Sequence, residues 1–414
     1  MHQFGNVAKV RKQNLAVGGS MSAIDIEKIR SETPGIQVST HLLASGSALM
    51  PQCVVNAMIE YTQLEAQFGG YEAQAQQAEK LERVYSSVAR HIGANTREIA
   101  IMENATVGWC HAFYALPLKR GARILTCEAE YAANYVAFLQ RAKRDDLRIE
   151  VIPSDETGAL DITALENTID DDVGLIAITW IPTNGGLVNP AAEVGKIAQA
   201  HGVPYLLDAC QAAGQMRIDV AELQCDFLSA TGRKFLRGPR GTGFLYVKEK
   251  WLASLEPAMI DHFGAPWVAR DKYELRDDAR RFETWENSYA LRAGLGAAID
   301  YTDQIGIDLI AERISTLAEQ TRSLLAEHPQ ITLHDLGTTK CGIVSFSIND
   351  TDPEAIIQHM AEERFVIGAS QPSSTRIDAE RRGLPTVLRI APHYYNTEDD
   401  ITQAVARLRS YGFA

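Results

Sequence analysis

The run Phe227-Leu-Ser-Ala-Thr-Gly-Arg-Lys-Phe-Leu-Arg-Gly-Pro-Arg-Gly-Thr-Gly243 carries the strongest structural signal in this sequence. An apolar segment leads to Lys234, and a loop of Gly, Pro and Arg then leads into a second apolar run at 243–247. Burial and cationic neighbours lower the pKa of a lysine at the end of a buried strand, which favours its nucleophilic amine. We therefore expect Lys234 to be a lysine that forms a Schiff base.

A second apolar run, Val203-Pro-Tyr-Leu-Leu-Asp208-Ala-Cys-Gln211, lies upstream and leads to a carboxylate. In enzymes that use pyridoxal phosphate, an Asp keeps the pyridine nitrogen protonated and a Lys binds the cofactor aldehyde. An Asp at the end of one strand, followed by a Lys at the end of another, matches this arrangement. The pair Asp208 and Lys234 thus predicts pyridoxal 5'-phosphate as the cofactor.

Length, charge and cysteine content narrow the class of protein. The chain has 414 residues, 46% hydrophobic and 22% charged, which is ordinary for a soluble protein of two or more domains. Its formal net charge of −13 argues against nucleic acid or an anionic membrane as the main partner. No apolar run approaches the ~18 residues of a membrane-spanning helix. Six cysteines without paired spacing indicate reduced thiols in a cytoplasmic protein, and no Cys/His cluster has the spacing of a metal site.

Short apolar runs alternate with helical patterns between about residues 37 and 247. Strands are expected at 99–102, 123–126, 149–152 and 173–180 and before Asp208 and Lys234, and helices at 78–91, 132–144 and 190–201. This alternation predicts an α/β fold with a mostly parallel sheet that helices cover on both faces. Ligands bind at the carboxyl ends of such strands, where Asp208 and Lys234 are expected.

The pattern changes after Trp285 and predicts a smaller C-terminal α+β domain. Its helices are expected at 291–305, 309–328, 353–363 and 398–411, and its strands at 331–334, 342–348 and 387–390. We therefore divide the chain into a large cofactor-binding domain at 37–290 and a small domain at 291–414. Residues 21–36 are expected to pack on the small domain. Residues 1–20 are basic and acid-free and are interpreted as an artificial leader or a misassigned start rather than a targeting peptide.

Three motifs occur in a fixed order along the chain: Asp-x-x-Gln at 208–211, Thr-Gly-Arg-Lys at 231–234, and Arg389 ahead of Tyr-Asn-Thr at 395–397. In this combination the chain resembles the class V aminotransferase family of fold-type I pyridoxal phosphate enzymes, from about His41 to the C-terminus. That family includes cysteine desulfurases, isopenicillin N epimerases and carbon–sulfur lyases. The segments Phe68-Gly-Gly-Tyr71-Glu and Glu130-Tyr131 with Asn134 make the chain most similar to carbon–sulfur lyases related to hercynylcysteine sulfoxide lyase.

The resemblance implies a role for each residue that matches a cofactor-binding motif. Lys234 would bind the cofactor and then move the Cα proton, Asp208 would pair with the ring nitrogen, and Gln211 would contact the ring oxygen. Ala105 and Thr106 would open a helix whose first amides hold the phosphate. Thr231 and Arg233 would complete this phosphate site, although desulfurases have His at the second position.

The resemblance also implies residues that contact the ring face and the substrate. Tyr131 would stack on the ring, with Tyr135 as the alternative, and Asn184 or Thr183 would contact the cofactor oxygen and the substrate. Arg389 would bind the substrate α-carboxylate, for which a guanidinium suits better than an ammonium group. Tyr71 and Ser45 are further expected substrate contacts. The family further implies a homodimer with shared active sites, in which the segment 282–288 corresponds to the part of the partner that completes the phosphate site.

One position departs from the desulfurase pattern and decides the expected reaction. Desulfurases carry a nucleophilic Cys ahead of the carboxylate-binding Arg, and the gapless count from Arg389 places Ser374 there. A serine hydroxyl cannot attack sulfur to form a persulfide at neutral pH. The sequence therefore favours a β-lyase that releases pyruvate and ammonia from an S-substituted cysteine. An aminotransferase or an epimerase of the same family remains the alternative, whereas the presence of both Lys234 and Asp208 argues against a catalytically silent binding subunit.

Overall fold

The computed structural model describes residues 24–411, and the leader expected at 1–20 lies outside them. The strands are, in chain order, β1 (Thr40–His41), β2 (Ile99–Met102), β3 (Arg123–Cys127), β4 (Arg148–Ile152), β5 (Val173–Thr179), β6 (Tyr205–Asp208), β7 (Phe227–Thr231), β8 (Gly243–Val247), β9 (Trp267–Ala269), β10 (Lys272–Tyr273), β11 (Ile331–Leu333), β12 (Val344–Ile348), β13 (Phe365–Val366), β14 (Gly368–Ser370) and β15 (Val387–Ile390).

The α-helices connect these strands and cover the sheets. They are α1 (Ile26–Ser31), α2 (Ala44–Ser47), α3 (Gln52–Phe68), α4 (Gly70–Gln76), α5 (Ala78–Ile92), α6 (Ala105–Ala115), α7 (Ala132–Asp145), α8 (Ile162–Thr168), α9 (Ala191–Ala200), α10 (Val220–Leu223), α11 (Glu249–Leu252), α12 (Tyr289–Ile305), α13 (Ile307–Ala326), α14 (Pro353–Glu362), α15 (Arg376–Arg382) and α16 (Glu398–Ser410). Among residues 24–411 no helix combines the length and the apolar character needed to cross a bilayer.

The large domain is built on a seven-stranded sheet with the spatial order β2-β8-β7-β6-β5-β3-β4. The strands from β7 to β4 pair in parallel, and β8 runs antiparallel to both of its neighbours. The predicted mostly parallel sheet is therefore confirmed. Because parallel strands end at the same edge, Cys127, Thr179, Asp208 and Thr231 all lie where a ligand is expected to bind.

Successive residues of the central strands face two different cores. Leu206 belongs to the apolar cluster that includes helices α6 and α7, whereas Leu207 belongs to the cluster that includes α5, α9 and α12. Leu175 and Ile176 divide between the same two clusters. Side chains alternate across a strand, so a sheet with helices on both faces needs such continuously apolar strands. The sheet is consequently held from both sides and fixes the positions of the residues at its edge.

The small domain is an antiparallel sheet with the order β11-β12-β15-β14, covered by α13, α14 and α16. Two parts of the N-terminal chain join it. The Arg30 guanidinium lies 2.9 Å from Asp400 Oδ2, and β1 pairs in parallel with β13. Leu42 N–H donates to Val366 O at 2.9 Å and Leu42 O accepts from Ala391 N–H at 2.7 Å. The segment around residues 30–44 therefore contacts the small domain, although it precedes the large sheet in sequence.

The domain boundary expected at residue 291 falls inside α12. This helix packs against the large domain, since a Cβ added to Gly294 would lie 2.8 Å from Met58 Cγ and one added to Gly296 would lie 2.9 Å from Val84 Cγ2. The break between α12 and α13 at Gly306 matches these contacts better than residue 291. The helical periodicity at 291–305 could not show this, because it does not reveal which domain the apolar face contacts.

Replacing Gly214 by alanine should destabilise the large domain. Gly214 has φ of +91°, and its added Cβ would lie 2.3 Å from the carbonyl carbon of Phe235, the residue after Lys234. We expect Gly214→Ala to lower the free energy of unfolding by at least about 2 kcal/mol, because backbone strain and overpacking add. Gly202→Ala is the matched control, since Gly202 has φ of +67° with open space around it. Equal losses for the two variants in urea denaturation would show that crowding at Gly214 is unimportant.

Candidate active site

Asp208 ends β6 at the edge where the parallel strands finish, and it is 5% exposed. Its Oδ1 accepts a hydrogen bond from Cys210 N–H at 2.9 Å, and its Oδ2 accepts one from Asn134 Nδ2 at 2.9 Å. Two donors on separate oxygens fix the plane of the carboxylate. Asp208 is therefore a buried, oriented acid of the kind that could pair with a cationic ring nitrogen.

Lys234 follows β7 by three residues and is 9% exposed. The turn around it is held by Arg237 N–H, which donates to Lys234 O at 3.0 Å, and by Gly238 N–H, which donates to Gly232 O at 2.7 Å. Burial lowers the pKa of Lys234; Cys210 and Asp208 oppose this shift, and Arg233 and Arg389 add to it. The amine thus faces Asp208 and is neutral more often than an exposed lysine at the same pH.

The start of α6 lies beside the end of β7 and the start of β8. Asn104 caps this helix by accepting a hydrogen bond from Val107 N–H at 3.0 Å. The first amides of a helix have no acceptor within it, which leaves those of Ala105 and Thr106 for a ligand. Gly243 makes the close approach possible, because a Cβ there would lie 3.0 Å from Ala105 N. Thr106 is therefore not the N-cap, and the two amides are oriented for an anion.

The short helix α2 forms a wall of the site next to Lys234. Arg233 Nη1 donates a hydrogen bond to Gly46 O, and Ala48 N–H donates to Arg233 O at 2.9 Å. Gln211 Nε2 donates to Ser45 O at 3.2 Å. The structure therefore brings Ser45 and Gln211 together, and it joins Arg233 to the same wall.

The two tyrosines proposed for the ring face differ in their surroundings. The pKa of Tyr131 is raised by burial and then by Cys210 and Asp208, while Arg233 and Arg389 lower it, so its hydroxyl lies close enough to these site residues to interact with them. Tyr135 packs edge-on against Phe138, with the ring centroids 5.9 Å apart. Of the two, Tyr131 is the residue that the structure brings into the site.

Arg389 extends from β15 of the small domain toward the large domain. Its Nη1 donates to Thr183 O at 3.0 Å and to Thr183 Oγ1 at 2.8 Å, and its Nη2 donates to Ala369 O at 3.2 Å. Burial lowers the pKa of Arg389 to about 10, so the side chain still carries its charge at neutral pH. A buried guanidinium with only neutral acceptors around it is suited to binding an anion such as a carboxylate.

The loop that follows β14 contacts the site through Asn184. Asn184 Nδ2 donates to Gln371 O at 3.3 Å, and Asn184 Oδ1 accepts a hydrogen bond from Ser370 Oγ. Thr183 Oγ1 instead lies between Arg389 and Gln211, with Gln211 Nε2 at 3.5 Å. Both residues therefore line the site, but the amide of Asn184 is already bonded to the loop.

Tyr71 is the expected site residue that this chain does not bring to Lys234. It is 72% exposed on α4, and α4 packs on a cluster formed by Tyr61, Ala73 and Leu81. The segment 282–288 also lies elsewhere, with Glu283 Oε2 accepting hydrogen bonds at 2.8 Å from Tyr85 Oη and from Arg292 Nη2.

Two residues that sequence reasoning did not assign to the site also lie in it. Cys210 was counted only among the six reduced thiols, but its thiol is buried beside Asp208 and is close enough to Lys234 for the two side chains to interact electrostatically. Asn134 contributes a hydrogen bond to Asp208 and was named only as part of the resemblance. The position of Asn134, one helical turn after Glu130 and just past the end of β3, is the sequence signal that could have placed Asn134 in the site.

Three buried polar atoms of the site have no partner among the described residues: Ser45 Oγ, Gln211 Oε1 and Arg389 Nε. Buried polar groups are nearly always hydrogen bonded, so these atoms indicate a bound molecule. The site also contains the carboxylate of Asp208, the amine of Lys234 and the free backbone amides at the start of α6. These groups fit a pyridine ring with an aldehyde and a phosphate, together with an amino-acid carboxylate at Arg389.

The fold and this set of groups define an α/β enzyme of fold-type I. The aminotransferase class-V model matches residues 40–404, and the chain belongs to the class V aminotransferase family. The family resemblance and the fold class expected from the sequence are thereby confirmed, and the expected pyridoxal phosphate is supported.

Individual relatives carry desulfurase and lyase names. A probable cysteine desulfurase of Methanothermobacter thermautotrophicus is 29% identical over 91% of this chain and 95% of its own. The apo structure of a cysteine desulfurase from Thermococcus onnurineus NA1 has a TM-score of 0.88 at 26% identity, covering 95% of this chain and 99% of its own. The cystine C–S lyase C-DES, in complex with cysteine persulfide, has a TM-score of 0.82 at 22% identity, covering 91% and 98%, and shows likeness of fold. The finer resemblance to hercynylcysteine sulfoxide lyase and isopenicillin N epimerase stays a prediction.

Proposed function

We propose that this chain is a pyridoxal phosphate-dependent carbon–sulfur β-lyase. It converts an S-substituted cysteine and water into pyruvate, ammonia and a thiol. The observation that supports this reaction over a desulfurase is the absence of a thiolate nucleophile from the described site. The loop 370–376 offers Ser374, and burial together with Asp208 raises the pKa of Cys210 well above its usual range. A protonated, buried thiol is a poor nucleophile.

The residues at the sheet edge would hold the cofactor. Lys234 would bind its aldehyde carbon, Asp208 its ring nitrogen and Gln211 its ring oxygen, while Tyr131 would cover one ring face. The phosphate would be bound by the amides of Ala105 and Thr106, by Thr231 and by Arg233, and Asn184 would line the side toward the substrate. When bound, the cofactor supplies an electron-withdrawing ring that stabilises negative charge at the substrate Cα.

The protein side chains then bind the substrate and move one proton. Arg389 binds the α-carboxylate and places Cα near Lys234. Lys234 Nζ accepts the proton from Cα, which its lowered pKa permits. The Cβ–S bond breaks as sulfur leaves with the bonding electrons and takes up a proton to give the thiol. Addition of water to the remaining three-carbon unit gives pyruvate and ammonia, so the atoms balance.

Tyr71 would reach a site across a homodimer interface. Its side chain is 72% exposed, and Phe68 on the same surface is 47% exposed. Exposed apolar side chains in sequence neighbours are typical of a surface that another subunit covers. A second copy of this chain would therefore supply Tyr71 as a substrate contact, and Ser45 would contribute from within the chain.

A substrate panel tests the proposed reaction. We expect the cofactor-loaded protein to release pyruvate, ammonia and thiol in equal amounts from an S-substituted L-cysteine, and Ser374→Ala to leave this rate unchanged. Amino-group transfer to an added keto acid would identify an aminotransferase, and loss of optical activity without pyruvate would identify an epimerase.

The names of the relatives favour cysteine desulfurase as the second candidate. That reaction would convert free cysteine to alanine and leave a persulfide on a protein cysteine, which mass spectrometry detects. Alanine formation that depends on a cysteine of this chain would therefore overturn the β-lyase. A protein that neither binds the cofactor nor forms any product would be a binding subunit instead.

A further inference from the structure

A second buried carboxylate, Glu130, lies behind Asp208 and has no part in the proposed reaction. It is 3% exposed and follows β3, just before helix α7. Its oxygens accept hydrogen bonds from Thr126 Oγ1 at 2.9 Å, from Thr179 N–H at 3.0 Å and Thr179 Oγ1 at 2.5 Å, and from Tyr131 N–H at 3.0 Å. Glu130 therefore ties together the ends of β3 and β5 and the start of α7.

Asn134 connects this carboxylate to Asp208. Its amide nitrogen lies 2.8 Å from Glu130 Oε1 and 2.9 Å from Asp208 Oδ2, and the residue is 3% exposed. A side-chain amide nitrogen has two N–H groups, and here each one is donated to a different carboxylate. The direction of the hydrogen bond to Asp208 is thus set by the hydrogen bond to Glu130.

The geometry requires a carboxylate rather than an amide at position 130. Tyr131 N–H donates to Oε1 and Thr179 N–H donates to Oε2, and neither backbone group can reverse its role. A glutamine in either orientation would place its NH₂ group against one of these donors. Tyr131 N–H also donates to Thr179 Oγ1 at 3.1 Å, but two donors in contact at either oxygen position are unfavourable. Even the most conservative replacement therefore disturbs the anchor of Asn134.

We propose that Glu130 and Asn134 are positioning residues for Asp208: Glu130 orients the Asn134 amide, whose second N–H holds the Asp208 carboxylate directed at the ring nitrogen of the cofactor. This inference rests on the proposed cofactor but not on the reaction that follows. A hydrogen bond from a fixed donor restricts the orientation of a carboxylate oxygen. The Asn134 amide thus fixes the orientation on which pairing with the ring nitrogen depends.

Cofactor titration of Asn134→Leu tests the proposal without any substrate. We expect the Kd for pyridoxal phosphate to rise roughly tenfold to hundredfold, the range for a lost hydrogen bond to a charged group. The absorbance maximum of the bound cofactor should shift as well, because the ring nitrogen would lose its fixed partner. Glu130→Gln should change the Kd and the absorbance maximum in the same direction, because the Asn134 amide would lose its orientation.

Thr126→Val is the matched control, because it removes one donor to Glu130 and leaves the Asn134 hydrogen bonds in place. We expect its Kd and absorbance maximum to equal those of the unmodified protein, whatever its thermal stability. If Asn134→Leu does not fold, Asn134→Ala replaces it, since it removes the donors without adding bulk. A wild-type Kd and spectrum in either Asn134 variant, or equal losses in Thr126→Val, would overturn the proposal. Absence of lyase turnover would not affect these readouts and would instead contradict the proposed function.

Discussion

Lys234→Ala should lower the rate of pyruvate release by at least about 10³-fold, since it removes both the cofactor-binding amine and the proton acceptor. The side chain is buried, and the charged groups that act on it are those of the proposed site. The measurement is steady-state pyruvate release at saturating substrate, together with the visible absorbance of bound cofactor after dialysis.

Two further variants make the Lys234 result specific. Lys196→Ala changes an exposed lysine on α9 and should leave both quantities unchanged. Lys234→Arg keeps a positive charge but supplies no free amine at neutral pH, so it should fail like the alanine variant. Pyruvate release by Lys234→Ala at more than a tenth of the original rate would contradict the assigned role.

Arg389→Leu should lower kcat/KM by about 10²–10³-fold, because truncating one member of a buried charged pair costs roughly 3–4 kcal/mol. The guanidinium is fixed by Thr183 and Ala369, and its buried Nε has no partner among the described residues. Arg389→Lys should restore only part of the lost kcat/KM, since an ammonium group cannot bind a carboxylate in a bidentate manner. The measurement is the initial rate as a function of substrate concentration.

An analogue that lacks the carboxylate separates recognition from damage to the fold. An S-substituted cysteamine has no group for Arg389 to bind, so both the original protein and Arg389→Leu should process it at the same low rate. If the substitution slowed the analogue as strongly as the amino acid, Arg389 would hold the domains together rather than bind substrate.

Local patterns were sufficient to predict the strands of the large sheet and the Asp208–Lys234 pair. Each of these features depends on a short apolar run and on the residue that ends it, which a linear sequence shows directly. The choice between Tyr131 and Tyr135 could not be made in this way. Tyr131 is the residue just before α7, whereas Tyr135 lies in the first turn of α7 and packs on Phe138. Which of the two lies in the site therefore depends on where α7 begins, and the sequence pattern does not fix that residue.

The contacts among Glu130, Asn134 and Asp208 lay beyond sequence reasoning for another reason. They join α7 to β6 through Asn134 and Asp208, which lie 74 positions apart, so no periodicity within one element indicates them. The same holds for Arg389 and Thr183, which meet across the two domains. The position of Cys210 likewise depends on how the chain turns after β6, which its apolar surroundings did not reveal.

The segment from Thr40 to Ala48 has a mechanical consequence for catalysis. Its first half is paired with the small domain, through β1 and β13 and through Leu42 and Ala391. Its second half is bonded to the turn around Lys234, through Ala48 and Arg233. The two attachments are only a few residues apart, too short a length to absorb a large displacement. A rotation of the small domain relative to the large domain would therefore pull on the wall beside Lys234, so that Arg389 and this wall would move together.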